Sequence, residues 1–142
     1  MGPARHTKII LAVAFALGLA AAQSPVSVWD GVYSDQQAAR GAALSKAACA
    51  SCHGDKLQGK GQTPALVGSD FTMDWNGMTV GDLFDKIQTS MPADKPGSLS
   101  REENASLVAY LLSANKFPSG TADLSSAGDR LRQIRFEAAP AK

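Results

Sequence analysis

Cys49-Ala50-Ser51-Cys52-His53 sets two thiols and an imidazole within five residues, and this stretch decides the fold of the 142-residue chain. C-x-x-C-H is the pattern of covalent c-type haem attachment. On a helical backbone Cys49 and Cys52 lie three apart on one face and His53 lies four from Cys49, so the three side chains address one flat ligand. The two thiols would add across the vinyl groups as thioethers, making one haem c held through Cys49 and Cys52. The neutral His53 imidazole would then bind the iron from the same side.

Plainer readings of the same residues fare worse. A redox-active Cys-x-x-Cys belongs in a βαβ setting, and no alternating strand pattern surrounds this one. A zinc site needs further ligands, but the chain has two cysteines in all. The other histidine, His6, falls in a segment expected to be removed. A structural disulfide is the remaining competitor.

That removed segment is residues 1–22. Arg5 and Lys8 lead into the uncharged run from Ile9 to Ala22, which closes on Ala20-Ala21-Ala22, the layout of a secretory signal peptide. The run is short of the roughly 20 apolar residues that span a bilayer, so no membrane span is expected after processing. Cleavage takes two of the 14 basic residues and none of the 13 acidic ones, leaving 12 against 13 and a net charge of −1. Near-neutrality disfavours nucleic acid as a partner. Export to the periplasm or beyond would oxidise free cysteines, unless thioether bonds consume them. Eight aromatic residues remain after the segment leaves. A core so poor in large side chains gains much from a buried macrocycle.

Residues 23–33, with Pro25 and Gly31, read as an extended lead-in, with Trp29 and Tyr33 lying on the domain surface. Ser34 begins a helix: with Gln37 it makes a capping-box pattern, and a face of small residues from Ala38 to Ala48 runs into Cys49. Gly54, Gly59, Gly61, Pro64 and Gly68 mark a loop, in which Lys56 and Lys60 are ordinary surface charges. Phe71, Met73, Trp75 and Met78 follow as a short apolar stretch. Thr79 caps a second helix with Asp82 three residues on, carrying Leu83, Phe84, Ile87 and Met91, and Pro92 stops it by pushing Met91 out of the α region. Ser100 and Glu103 open the last helix, which ends near Asn115 before Pro118. Beyond it, Leu131, Ile134 and Phe136 offer one or two weak helical turns at most.

Three helices, a haem motif at the end of the first and a Met-Pro before the last resemble the class I c-type cytochromes, over about Ser34 to Asn115. The resemblance implies an all-α cytochrome c fold, with about three main helices around one covalently bound haem. It implies a cytochrome c domain over 34–117, while the small and polar residues that dominate the rest of the chain lead us to expect a flexible tail over 118–142. In that family a proline about a dozen residues after the haem histidine offers its carbonyl to the second ring nitrogen, and Pro64 stands at that place. An acceptor there fixes the tautomer and raises the basicity of a metal-bound imidazole. For the sixth ligand the mature chain offers Met73, Met78 and Met91. The family's Met-Pro pair points to Met91, making His53 and Met91 the metal ligands. Trp75 resembles the tryptophan whose N–H donates to a haem propionate. Gly41 and Tyr110 resemble the close contact of first and last helices, whereas Ser45 stands where the family usually has an aromatic.

Trp29-Asp30-Gly31-Val32-Tyr33 and residues 77–96 look most like the small cytochromes found with quinoprotein dehydrogenases. The function implied is one-electron transfer between redox partner proteins, such as a quinoprotein dehydrogenase or a terminal oxidase, with no catalytic residue and no enzymatic activity of its own. The competing reading is a haem subunit with an open iron site, acting as a redox enzyme or small-molecule binder. It lacks a spare histidine as distal acid or base.

Overall fold

The first α-helix begins where the Ser34 cap places it, after a single 3-10 turn over Val28–Asp30. In the computed structural model, which describes residues 1–2 and 26–140, helix α1 spans Asp35–Ala48 with Ser34 as its N-cap. The expected signal segment lies almost wholly outside the described residues. Ser34 Oγ accepts a hydrogen bond from Gln37 N at 3.1 Å. The other half of the expected capping box does not close. Gln37 turns inward instead, buried, with Nε2 donating to Leu124 O at 2.9 Å and Oε1 accepting from Leu124 N at 2.6 Å. Burying the side chain there satisfies two backbone groups of a distant segment, which outweighs one solvent-exposed cap bond.

At Cys49 the helix breaks, and one more turn, α2 (Ala50–His53), carries the rest of the motif. A glycine-rich loop leads to α3 (Ser69–Asp74) and then α4 (Val80–Ser90) and α5 (Arg101–Ala114). Both later capping boxes close as the sequence predicts. Thr79 Oγ1 accepts from Asp82 N at 3.2 Å while Asp82 Oδ2 accepts from Thr79 N at 2.8 Å, and Ser100 with Glu103 repeats the pattern at 3.2 and 2.8 Å. The bonds from Thr79 hold the Asp82 carboxyl below the usual carboxylate range. α4 ends at an extended Met91 (φ −125°, ψ 150°), as the following proline requires.

α1 and α5 cross in direct backbone contact. A β-carbon added at Gly41 would lie 1.8 Å from Ser106 O and 2.8 Å from Tyr110 Cβ, so only glycine fits the crossing. Beneath it Val108, Ala109 and Leu112 of α5 join Leu83 and Phe84 of α4 in the core. The expected all-α fold is therefore present, its three long helices being α1, α4 and α5. Among the described residues no helix is long and apolar enough to cross a membrane.

The tail corrects an expectation. Residues 118–140 pack against the domain rather than hang from it, with Leu124, Leu131, Ile134 and Phe136 buried. They form a short turn, α6 (Gly128–Leu131), and a strand, β2 (Ile134–Arg135), parallel to β1 (Val26–Ser27) of the lead-in. The lead-in is pinned in return: Val28 is buried, Tyr33 is buried rather than lying on the surface, and Trp29 Nε1 donates to Glu137 O at 2.9 Å. Five aromatic rings then run as one chain, with centroid spacings of 4.9 Å for Trp29–Phe117, 5.2 Å for Phe117–Phe136, 6.2 Å for Phe136–Phe71 and 6.3 Å for Phe71–Trp75. Phe136 is the link that ties the tail to α3. Truncating this fully buried ring is expected to cost about 3–5 kcal/mol in denaturant unfolding, as for other large-to-small core changes. A loss under about 1 kcal/mol would mean that the tail is only loosely attached.

Candidate functional site

The motif's geometry starts from the break at Cys49, whose carbonyl accepts from His53 N at 2.9 Å and so begins the turn of α2. Cys52 is exposed and Cys49 is half-buried, so both sulfurs lie at the edge of the fold. Burial pushes the Cys49 thiol up, partly offset by a hydrogen bond with Ser45. A redox-active Cys-x-x-Cys needs the opposite shift, because its attacking sulfur must be a thiolate. Ser45, buried where an aromatic was expected, thus sits against the motif itself. Among the described residues no three His, Cys, Asp or Glu side chains gather as a metal cluster, so zinc has no donor set here.

His53 is buried, and its Nδ1 stands 2.8 Å from Pro64 O. A carbonyl oxygen only accepts, so Nδ1 carries the proton and the Nε2 lone pair is left for a metal. The loop is built to bring Pro64 back to that position. Gly59 N donates to His53 O at 2.8 Å, and Lys60 and Thr63 exchange backbone bonds at 3.1 and 3.0 Å, turning the chain around. Gly59 is required twice: its φ is +83°, and a β-carbon there would meet Thr63 O and Ala65 N at 2.8 Å. Lys56 and Lys60 are exposed on this turn.

Sequence reasoning missed two residues that hold the loop. Leu57 enters the core in a left-handed conformation, φ 58°, a backbone that no local signal in a leucine announces. In sequence Asn115 marks only the end of α5. Its Nδ2 donates to Leu66 O at 2.9 Å and to Leu111 O at 2.8 Å, and its Oδ1 accepts from Gly68 N at 2.9 Å. The loop after the haem motif is thereby stapled to the last helix. An asparagine at a helix end followed by proline is a cap signal, but nothing in it says which distant loop it holds.

The other candidate residues divide by exposure. Met91 is half-buried at the exit of α4, whereas Met73 and Met78 are 62 % and 42 % exposed. Trp75 is half-buried against Phe71, and the hydrogen bonds among the described residues include none from its indole N–H, in contrast to Trp29. The donor set suits a covalent haem: two cysteine sulfurs and a tautomerically fixed imidazole around one helical turn, with a half-buried indole and a half-buried thioether elsewhere on the domain.

Comparison with known proteins agrees. Residues 36–111 match the family described as cytochrome C oxidase, cbb3-type, subunit III. The fold is similar to a chain in the crystal structure of the sulfane dehydrogenase SoxCD from Paracoccus pantotrophus, at 25 % identity and a TM-score of 0.51, covering 84 % of this chain and 68 % of that one. No curated protein sequence matches significantly. With more than half of its residues inside the family match, the chain belongs to this cytochrome family and is a monohaem class I c-type cytochrome, carrying haem c on a Cys-x-x-Cys-His motif and serving electron transfer.

Proposed function

We propose that the mature protein is an exported one-electron carrier whose iron is held between His53 and Met91, and that it takes electrons from a dehydrogenase and passes them to a second redox protein. The observation that carries this reading is the 2.8 Å contact of His53 Nδ1 with Pro64 O. It commits the imidazole to a single tautomer, with one nitrogen free for a metal and the other fixed by backbone, as a permanent ligand requires. Bound haem supplies the redox couple, one electron being taken up and given back at its iron. The chain's own work is to hold the site still. Cys49 and Cys52 would anchor the porphyrin, Pro64 orients His53, and Met91 would supply the second protein ligand to the iron. The indole N–H of Trp75 would be a donor for a propionate. Thioether ligation and burial both favour the less charged, reduced iron, giving a positive potential.

The resemblance to cytochromes found with quinoprotein dehydrogenases, and the likeness to a chain of SoxCD, a sulfane dehydrogenase by title, both support a dehydrogenase as the electron donor. A signal peptide over residues 1–22 supports export to the periplasm. Potentiometric titration of the purified holoprotein is expected to give a single reversible one-electron wave, with the iron low-spin at both ends. High-spin iron in either state, or steady turnover of a peroxide by the protein alone, would favour the open-site reading instead.

A further inference from the structure

We infer that Gln88, braced by Asn104, is a positioning residue for the Met91 loop, holding the methionine sulfur on the iron; this rests on the assignment of Met91 as the sixth ligand. The loop from Met91 to Leu99 touches the protein chiefly at its ends, for Ala93 to Ser98 are all exposed while Met91, Pro92 and Leu99 are half-buried. Where a loop's middle is free, its ends set its position. The first end is held by the helix, Met91 N donating to Ile87 O at 2.9 Å. The second end is held by a side chain one residue further along α4: Gln88 Nε2 donates to Leu99 O at 2.9 Å. Gly97, at φ +75°, folds back so that a β-carbon there would meet Gln88 O at 3.8 Å.

Asn104 sets the direction of this clamp. Fully buried on α5, it donates from Nδ2 to Phe84 O at 2.9 Å and to Gln88 Oε1 at 3.1 Å. The Phe84 carbonyl can only accept, so the Asn104 amide is oriented with its nitrogen toward α4. Gln88 must then offer oxygen to Asn104 and nitrogen to Leu99. The arrangement leaves Asn104 Oδ1 as the buried side-chain polar atom without a partner among the described residues. An apolar side chain of the same shape would avoid that cost, so stability alone is a poor account of an asparagine here. A directed clamp on the loop is a better one.

Imidazole added to the oxidised holoprotein reports the clamp, because it must displace the methionine, and its apparent affinity scales with the population in which the loop has opened. Gln88→Leu removes the bond to Leu99 and is expected to tighten apparent imidazole binding about tenfold, the effect of losing one hydrogen bond of ordinary strength. Gln88→Ala should do the same. Gln37→Leu cuts the separate tie between α1 and the tail, lowering stability while leaving imidazole affinity unchanged. Wild-type affinity in both Gln88 variants would overturn the proposal, and so would an equal shift in Gln37→Leu, which would mark a general loss of stability. Met91→Ala calibrates the fully open site. If it binds imidazole no more tightly than the wild type, the ligand assignment fails and the inference falls with it.

Discussion

Gly41→Val is expected to destabilise the fold severely, costing at least about 3 kcal/mol of the 5–15 kcal/mol that holds a typical domain together. The cause is geometric. The first added carbon would sit 1.8 Å from the Ser106 carbonyl oxygen and 2.8 Å from Tyr110 Cβ. The nearest obstacle is backbone in the middle of α5, so no rotamer change relieves it, and α1 must separate from α5. That separation would loosen the Ala105 and Ala109 packing in the core and would tilt the helix that delivers Cys49. Thermal or denaturant unfolding of the purified variant measures the loss. Gly41→Ala carries the same first carbon and should lose most of the same stability, whereas Ala43→Val, exposed on the same helix, should change it by less than about 1 kcal/mol. Near-native stability of Gly41→Val would mean that α1 and α5 are not in direct backbone contact at Gly41.

Replacing both Cys49 and Cys52 by serine is expected to abolish covalent haem attachment outright. Serine keeps the size of each side chain and removes the sulfur that forms the thioether. Cys52 is exposed and Cys49 half-buried, so the haem chemistry is tested with little repacking. Denaturing electrophoresis followed by a haem stain should show the wild-type chain coloured and the double variant blank, with its haem extractable into acidic organic solvent. Each single variant keeps one thioether position and should retain part of the stain. Full retention by the double variant would place the attachment elsewhere.

The haem motif and the helix ends were legible in sequence because their chemistry is local. The motif, the caps at Ser34, Thr79 and Ser100, and the proline-stopped end of α4 each depend on residues within four positions of one another, and local rules read them correctly. Pro64 was legible only through resemblance, since eleven residues separate it from His53 and the path between them depends on Gly59 and Leu57 adopting left-handed backbone. The tail was misread for the opposite reason. Leu131, Ile134 and Phe136 are too few to show a sustained period, and the order of the segment comes from distant partners: Gly77 N donates to Phe136 O at 2.8 Å, and Ser27 Oγ donates to Glu137, 110 residues away, at 2.7 Å. Gln37 shows the same limit within a single residue. Its spacing from Ser34 spelled a local cap, but the distant Leu124 backbone competed for the amide and won.

The oxidised-state spectrum of the wild type beside Met91→Ala tests the closed, electron-carrying site most directly. The account predicts a methionine–iron charge-transfer band in the wild type, lost in Met91→Ala and kept in Met73→Ala and Met78→Ala, with carbon monoxide binding to the reduced Met91→Ala protein and not to the reduced wild type. A band that survives in Met91→Ala, or ready carbon monoxide binding by the reduced wild type, would contradict it.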